Sequence, residues 1–253
     1  SGPDLSKILT ELKITFFSTV PTLLATISAT ELPSVRILIV GGESCSRELA
    51  NRWATPNCTF YNTYGPTEAT VVATYYECKS PQEEQRVPIG LPLPNYSCYV
   101  VSPTDKRLLP DGAIGELLIG GNGVSSQGYL NLPDKSATKF LPNQYSAKHD
   151  GGRVYCTGDL ARVDVNGMLE FHGRIDRQVK IRGYRVELAE IESVLSTCKG
   201  VKMTVVDYRN ENLLAWIVKI DNYIDSEKEL LKNVQSHARK ILAEYMVPSL
   251  YFM

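Results

Sequence analysis

Short apolar runs and helix-like faces alternate along the first part of the chain. Residues 14–17 are strand-like, and residues 21–28 predict a helix whose first turn tolerates Pro21. The apolar run at 36–40 ends on Gly41 and Gly42, which predicts a strand buried on both faces. Residues 46–53 then predict a helix with Leu49 and Trp53 on one face. This pattern is typical of a layer of strands and helices.

The pattern changes between residues 87 and 173 to short strands separated by turn residues. Strands are predicted at 97–101, 115–119 and 168–172, with Pro-Asp-Gly at 110–112 and Asn-Gly at 166–167 as turns. We therefore predict an antiparallel, barrel-like unit that packs beside the first layer.

A third pattern follows the polar strip at 174–178. Residues 180–186 are strand-like, and residues 187–195 predict a helix with Leu188, Ile191 and Leu195 on one face. A strand pair is predicted at 201–208 and 213–220, and a capping box at 226–229 begins a helix that runs to about residue 241. The predicted fold class is α/β with a β-barrel subdomain. Its two parts are residues 1–175, barrel-like from about residue 87, and a small α+β domain at 176–253.

The composition is that of a soluble globular protein. Hydrophobic residues make up 43% and charged residues 22% of the 253 residues, and the net charge of −1 favours neither nucleic acid nor an anionic membrane. No apolar run is long enough to span a bilayer, and no signal peptide is visible. The six cysteines form no CxxC pair, which favours a reducing compartment. We expect a cytoplasmic protein without a nucleic-acid or membrane partner.

Three segments carry candidate chemistry. The loop 62–68 holds a ring, a hydroxyl and a carboxylate that suit a nucleotide with Mg²⁺, although an ordinary capped Gly-Pro loop explains it equally well. In the segment 155–160, Asp159 can accept two hydrogen bonds from a ribose diol, although a simple Gly-Asp turn is favoured when the segment is taken alone. The segment 173–187 gathers arginine and lysine around two glycines, a pattern that a solvated edge strand also explains.

Together and in this order, the segments resemble the adenylation domains of nonribosomal peptide synthetases, within the adenylate-forming superfamily. The supporting runs are 64–68 (Tyr-Gly-Pro-Thr-Glu), 115–120 (Gly-Glu-Leu-Leu-Ile-Gly), 155–160, 173–192 and 244–248 (Glu-Tyr-Met-Val-Pro). The resemblance implies that residues 1–175 are the C-terminal part of the large adenylation subdomain and 176–253 the small C-terminal subdomain. It also implies a ligase that uses ATP and Mg²⁺ to convert an amino acid to an aminoacyl-AMP. The acyl group then passes to the phosphopantetheine thiol of a peptidyl carrier domain.

The resemblance assigns a nucleotide site. Asn62 would contact the adenine amino group, Tyr64 would stack on the base, and Asp159 would bind the ribose hydroxyls. The other residues that it places around the adenine are Gly42, Glu43 and Phe171.

Catalytic and conformational roles follow from the same match. Thr67 would meet the α-phosphate, Glu68 would ligate the Mg²⁺ that neutralises the leaving pyrophosphate, and Arg174 would lie close to the ribose. Asp176 stands where the family pivots its small domain between the two half-reactions. Gly183 would face the pantetheine arm, where a side chain would obstruct it.

The same match outlines a pocket for the amino-acid side chain. Its residues are Ser18, Ile39, Gly41, Thr63, Val71 and Val72. This lining is mostly apolar and carries no charge, so we expect a neutral, hydrophobic substrate, with room for bulk beside Gly41. That Ile39, Val71 and Val72 are simply core residues explains the pattern equally well.

Some family features differ or are absent from these residues. The segment 123–129 has one residue more than the usual pattern, and we expect this insertion to lie away from the phosphates. Cys156 stands at a position that is usually basic, and we interpret it as a buried thiol. The 253 residues contain no phosphate loop, no aspartate for the substrate amino group and no catalytic lysine. We therefore expect a fragment with exposed apolar strand surface that is inactive by itself.

Two alternatives remain open. In the first, the chain is a non-catalytic fragment or pseudo-enzyme that binds a carrier partner. In the second, it is a relative of acyl-CoA synthetases or D-alanine ligases with the same fold. The run at 178–183, with 186–188, resembles amino-acid activators more than acyl-CoA synthetases. The sequence leaves open the amino acid, the peptide product and the oligomeric state.

Overall fold

The computed structural model describes residues 2–81, 86–146 and 152–253. The chain divides into two compact units, Ser1–Asp176 and Arg177–Met253. The first layer of the first unit comprises α1 (Gly2–Glu11), β1 (Phe16–Thr19), α2 (Pro21–Ala25), β2 (Ile37–Val40), α3 (Arg47–Trp53), β3 (Thr59–Tyr64), β4 (Thr74–Cys78) and β5 (Leu91–Pro92).

These five strands form one sheet in the order β1-β2-β3-β4-β5. The first three strands are parallel, and β4 and β5 add to them in antiparallel pairing. Leu38, Val40 and Phe60 on one face pack against Leu24 of α2 and Trp53 of α3 in a buried core. The C-terminal ends of the parallel strands therefore meet at one edge, which is where ligands bind in open α/β sheets.

The predicted helix at 46–53 is confirmed as α3. The Ser46 hydroxyl accepts a hydrogen bond from the Leu49 amide at 3.1 Å and caps its first turn. The helix predicted at 21–28 is shorter than expected and ends at Ala25. Its end is closed locally, because the Thr26 hydroxyl donates to the Leu23 carbonyl at 2.7 Å.

The second layer of the first unit is an antiparallel sheet. It comprises β6 (Tyr96–Val101), β7 (Gly115–Gly121), α4 (Pro133–Lys139), β8 (Phe140–Pro142), β9 (Arg153–Val163) and β10 (Leu169–Arg174). The strand order is β10-β9-β7-β6, with β8 also paired to β9. The predicted antiparallel strands are thus present, but within the described residues β6 and β10 form separate edges and the sheet is open.

The second unit packs two helices on one face of a sheet. Its elements are β11 (Gln178–Ile181), β12 (Tyr184–Glu187), α5 (Leu188–Ser196), β13 (Val201–Arg209), β14 (Asn212–Lys219), α6 (Glu227–Ile241) and β15 (Leu250–Phe252). Ile191, Leu195, Leu230 and Val234 of the helices share its buried core. The Ser226 and Glu229 capping box predicted for α6 is present.

One expectation for this unit was wrong. Residues 180–186 do not form one strand but the two strands β11 and β12 of a hairpin. Arg182 and Gly183 form the turn, with φ angles of 50° and 81°. Two central residues with positive φ are the requirement of a type I′ hairpin turn, so the backbone reverses at this point.

Apolar strand surface is exposed in both units. In the second unit, Trp216 and Phe252 stack at 5.4 Å on the sheet face opposite the helices. In the first, Phe16 is 53% and Ile37 is 41% exposed on neighbouring strands. Within the described residues, no helix combines the length and the hydropathy that crossing a bilayer requires.

Candidate functional site

A tight loop follows β3 and carries Thr67 and Glu68. Tyr64 ends the strand, and Thr67–Ala69 form a 3₁₀ turn. The adjoining segment 121–125 holds this turn, since the Ser125 amide donates to the Glu68 carbonyl at 3.0 Å and the Thr70 hydroxyl to the Gly123 carbonyl at 2.7 Å. The segment 123–129, expected to lie away from the phosphates, therefore packs directly on the loop assigned to them.

Tyr64, Asp159 and Arg174 form a buried cluster. The Tyr64 hydroxyl donates to Asp159 Oδ2 at 2.5 Å, and Arg174 forms an ion pair with Asp159 Oδ1. Arg174 also donates to both oxygens of Asp176, at 2.7 and 2.8 Å. The structure thus joins Tyr64 directly to Asp159, which lies 95 positions further along the sequence.

The pKa values of Tyr64 and Arg174 in this cluster are both raised, so both groups keep their protons. Burial, followed by the charge of Asp159, raises the pKa of Tyr64 well above its ordinary value, so the phenol stays a donor. Burial by itself lowers the pKa of Arg174, but the hydrogen bonds and charges of Asp176 and Asp159 outweigh this and raise it. Arg174 is therefore a fixed cation, and the cluster is a charged, hydrogen-bonded patch.

Irregularities in two strands create the cluster. The β7–β9 pairing passes from Glu116↔Leu160 to Leu118↔Cys156, which leaves residues 157–159 as a bulge. The β9–β10 pairing also shifts, and Arg174 becomes the partner of Asp159. Gly158, with φ of 73°, sits in the bulge, where a Cβ would lie 2.8 Å from Arg174. Bulges redirect side chains out of a regular ladder, and here they turn Asp159 towards Tyr64.

Glu68 is held by two phenols that the sequence had not singled out. Its Oε1 accepts hydrogen bonds from Tyr129 at 2.7 Å and Tyr155 at 2.9 Å. Tyr155 is fully buried, and the two hydroxyls lie 3.3 Å apart. The only sequence signal for them is position, since Tyr129 ends the segment 123–129 and Tyr155 begins the segment 155–160.

The residues fit Mg²⁺ as a companion of bound phosphates. The described part of the chain contains no group of three His, Cys, Asp or Glu side chains that forms a metal site. Mg²⁺ usually keeps several waters and binds through one or two carboxylates plus substrate phosphates. Glu68, half-buried and beside the exposed Thr67, is a carboxylate of that kind.

The residues assigned to the adenine lie on β3, directly after β2 and on β10. Asn62 is buried, and its amide nitrogen donates to the Pro88 carbonyl at 2.7 Å, which leaves the amide oxygen as its acceptor. Gly42 has φ of 82°, and the Glu43 carboxylate accepts from the Thr22 amide at 3.0 Å, at the start of α2. Phe171 lies half-buried on β10 and packs against the antiparallel core.

The assigned substrate-pocket residues gather on one sheet face and on the loop. Ser18 pairs with Ile39 across β1 and β2, on the face opposite Leu38. A Cβ on Gly41 would lie 2.7 Å from Thr63 Oγ1, so close packing by Thr63 by itself requires this glycine. The remaining two are Val72, which is half-buried, and Val71, which is 70% exposed. None of the apolar three belongs to a core cluster of the described residues.

Asp176 and Gly183 belong to different units. Asp176 ends the first unit, with a side chain that is 44% exposed despite its two bonds to Arg174. Gly183 lies in the hairpin turn of the second unit, next to Tyr184, whose ring stacks on Tyr245 at 4.0 Å.

We expect the thiols of the folded protein to react slowly. All six cysteines are free thiols. Burial raises the pKa of Cys45 and Cys98 to about 12. The pKa of the buried Cys156 is also raised, and burial is again the main cause. At pH 8 few of these thiols are thiolates. Titration with a chromogenic disulfide should count six thiols after unfolding and proceed far more slowly before it. Rapid reaction of Cys156 in the folded protein would contradict its assignment as an inert thiol.

Comparisons with known proteins identify the family of the chain. The model of the family "AMP-binding enzyme" matches residues 2–130. Tyrocidine synthase 1 of Brevibacillus parabrevis is 41% identical over 97% of the chain, which spans 22% of that protein. The chain belongs to the AMP-binding enzyme family, as an adenylation domain of the nonribosomal peptide synthetase type within the adenylate-forming superfamily.

Two solved structures share the fold. The Vibrio cholerae adenylation domain AlmE, in complex with glycyl-adenosine-5′-phosphate, has a TM-score of 0.81 and 26% identity over 98% of this chain and 48% of that one. PA1221, a nonribosomal peptide synthetase protein that contains adenylation and carrier (PCP) domains, has a TM-score of 0.83 and 25% identity over 100% of this chain and 44% of that one. The predicted α/β adenylation fold is thus confirmed, and the chain spans less than half of each solved chain.

Proposed function

We propose that the chain is part of an enzyme that activates an amino acid with ATP and transfers it to a carrier thiol. The observation that supports this most directly is the cluster of Tyr64, Asp159 and Arg174 beside the Glu68 loop. The cluster and the loop place an aromatic ring, an acceptor for a ribose diol, a cation and a second carboxylate on adjoining elements. A nucleotide-binding site requires groups of these kinds. The solved relatives with an adenosine phosphate ligand and with a carrier domain support the same function.

In the first half-reaction an oxygen of the substrate carboxylate attacks the α-phosphorus of ATP. The bond from that phosphorus to the bridging oxygen breaks, and pyrophosphate leaves. Asn62, Gly42, Glu43, Tyr64 and Phe171 would bind the adenine, since Asn62 keeps a free acceptor oxygen after donating to Pro88. Each Asp159 oxygen accepts one protein hydrogen bond and keeps lone pairs for a ribose hydroxyl.

Residues of the loop would meet the phosphates, and a residue of β10 would lie by the ribose. Thr67 is exposed and would donate to the α-phosphate, and Arg174 would lie by the ribose. Glu68, oriented by two phenols, would hold Mg²⁺, which when bound neutralises charge on the leaving pyrophosphate. In the second half-reaction the phosphopantetheine thiol loses its proton and its sulfur attacks the acyl carbon. The bond from that carbon to the phosphate oxygen breaks, AMP leaves and a thioester remains.

The two units then have separate roles. We assign the first unit to the C-terminal part of the large subdomain and the second to the small C-terminal subdomain, with Asp176 as the hinge. Gly183 would face the pantetheine arm, where a side chain would obstruct it, and the positive φ of the turn already favours glycine at this position. The pocket of Ser18, Ile39, Gly41, Thr63, Val71 and Val72 would take a neutral, hydrophobic amino acid, and we place the protein in the cytoplasm.

Amino-acid-dependent exchange of pyrophosphate into ATP tests this function. We expect exchange by the complete polypeptide that carries the chain, with a hydrophobic amino acid preferred from a panel. We expect none from the 253 residues alone, which contain no catalytic lysine segment. Exchange that depends on fatty acids and not on amino acids would instead favour an acyl-CoA synthetase relative. The absence of exchange with any acid would favour a non-catalytic carrier-binding protein.

A further inference from the structure

Glu116 is a buried carboxylate to which the proposed function gives no role. It lies on β7 and is 3% exposed. Its Oε1 accepts a hydrogen bond from the Gly158 amide at 3.1 Å, and its Oε2 forms an ion pair with Lys106. A buried charge is costly unless it is paired, so packing alone does not account for a carboxylate at this position.

The contact falls on the bulge that carries Asp159. The Thr157 hydroxyl donates to the Leu117 carbonyl at 2.7 Å and accepts from the Asp159 amide at 2.9 Å. Glu116 holds the amide between them, that of Gly158. Glu116 and Leu117, two consecutive residues of β7, therefore hold the backbone of the turn. Tyr64 and Arg174 contact the side chain of Asp159.

Lys106 makes this anchor a charged one. It has φ of 58° and reaches inward from an exposed turn, with 30% of its side chain exposed. It also donates to the Pro103 carbonyl at 3.0 Å, so both ends of the ion pair are held by backbone. Hydrogen bonds to an ionised acceptor are about twice as strong as neutral ones, which makes Glu116 a stiff support for the turn.

We propose that Glu116, paired with Lys106, is a positioning residue that fixes the 157–159 turn so that Asp159 recognises the ribose hydroxyls of the nucleotide. This inference rests on the proposed nucleotide site. It adds a residue that touches neither nucleotide nor metal and that sets how strictly the site requires a ribose diol.

The variant Glu116→Gln tests the anchor. Glutamine has one acceptor oxygen, and its amide group must face either Lys106 or the Gly158 amide, both of which are donors. In the double variant Lys106→Met/Glu116→Gln, the competing cation is gone and the oxygen can serve Gly158 again. Replacement of both partners by neutral groups of similar size is often tolerated, so this variant keeps the test valid if the single one unfolds. The matched control is Glu170→Gln, a carboxylate of the same sheet that is 6% exposed and paired with Arg162, not with the turn.

Two measurements are made on each variant: hydrogen exchange of the Gly158 amide, and calorimetric titration with AMP and with 3′-deoxy-AMP. We expect the wild-type protein to prefer AMP by about 100-fold, because 3′-deoxy-AMP lacks a hydroxyl that would donate to the charged Asp159 carboxylate. Glu116→Gln should reduce the preference for AMP below about 10-fold and speed hydrogen exchange of the Gly158 amide. The double variant should restore the preference and the slow exchange of the wild-type protein. Glu170→Gln should change neither.

The failures are distinguishable. Faster exchange at Gly158 with an unchanged preference for AMP would show that the anchor is structural only, and the proposal would be wrong. An equal loss of preference in Glu170→Gln would assign the effect to general weakening of the sheet and overturn it as well. If the wild-type protein binds both nucleotides alike, the ribose role of Asp159 fails first, and the positioning role falls with it.

Discussion

Replacement of Arg174 by alanine is expected to lower the free energy of unfolding of the first unit by about 3–5 kcal/mol. The physical reason is the charge that the substitution leaves behind. The Asp159 side chain is 5% exposed and faces Arg174, which is 9% exposed, so water does not replace the lost cation. The contribution of the exposed partner Asp176 is small by comparison, because solvent screens it. Urea unfolding followed by circular dichroism measures the change.

Two controls separate an unpaired charge from a lost side chain. Arg107→Ala removes an arginine that is 76% exposed and paired with Asp105 in the same unit, and should cost at most about 1 kcal/mol. Asp159→Asn added to Arg174→Ala removes the stranded charge and should recover a large part of the loss. Additive effects of the two substitutions would show that Asp159 and Arg174 are not energetically coupled.

Glu68→Ala is expected to lower amino-acid-dependent pyrophosphate exchange by the complete polypeptide about 100- to 1,000-fold, a loss of the size seen when one preorganised charge contact is removed. The deficit should shrink as Mg²⁺ is raised, since the substitution removes a ligand and not the phosphates that also bind the metal. The rate of exchange as a function of Mg²⁺ concentration is the measurement.

Glu68→Gln separates the metal role from a structural one. Glutamine keeps an acceptor for the hydroxyls of Tyr129 and Tyr155 but has no charge. It should be about as impaired as alanine if Glu68 holds a metal, and near wild type if Glu68 only accepts the two phenols. Tyr96→Phe is the control for the loop, because it removes a hydrogen bond of 2.9 Å to the Ala69 carbonyl and leaves the carboxylate alone. An unchanged exchange rate in Glu68→Ala would remove this residue from the metal role.

Local signals predicted individual elements well. The helix after Ser46 and the capping box of Ser226 and Glu229 are stabilised by contacts three residues apart, which a sequence displays directly. The hairpin at 182–183 was missed because the strand-like alternation of Val179 and Ile181 resumes at Tyr184 and Val186 after only two intervening residues. Its signal was Gly183, because glycine adopts the positive φ of such a turn without strain.

The site was predictable in part. The order of motifs located Asn62, Tyr64, Glu68, Asp159 and Arg174, and the structure joins three of these directly. Tyr129 and Glu116 lie in the segments 123–129 and 115–120 that the sequence marks, but no role was predicted for either side chain. Residue type and position do not show that the fold brings Tyr129 to Glu68 and Glu116 to Gly158.

What the sequence by itself determined is the family and the type of most elements, and it also supplied the candidate residues for a nucleotide site, because these depend on residue identity and short-range spacing. What only the tertiary structure decided is which of those residues meet and what holds them there. Bulges in β9 and β10, a phenol pair on Glu68 and a buried ion pair behind the Asp159 turn are contacts across long stretches of chain. They depend on strand register, which the packing of the whole sheet sets and no local pattern records.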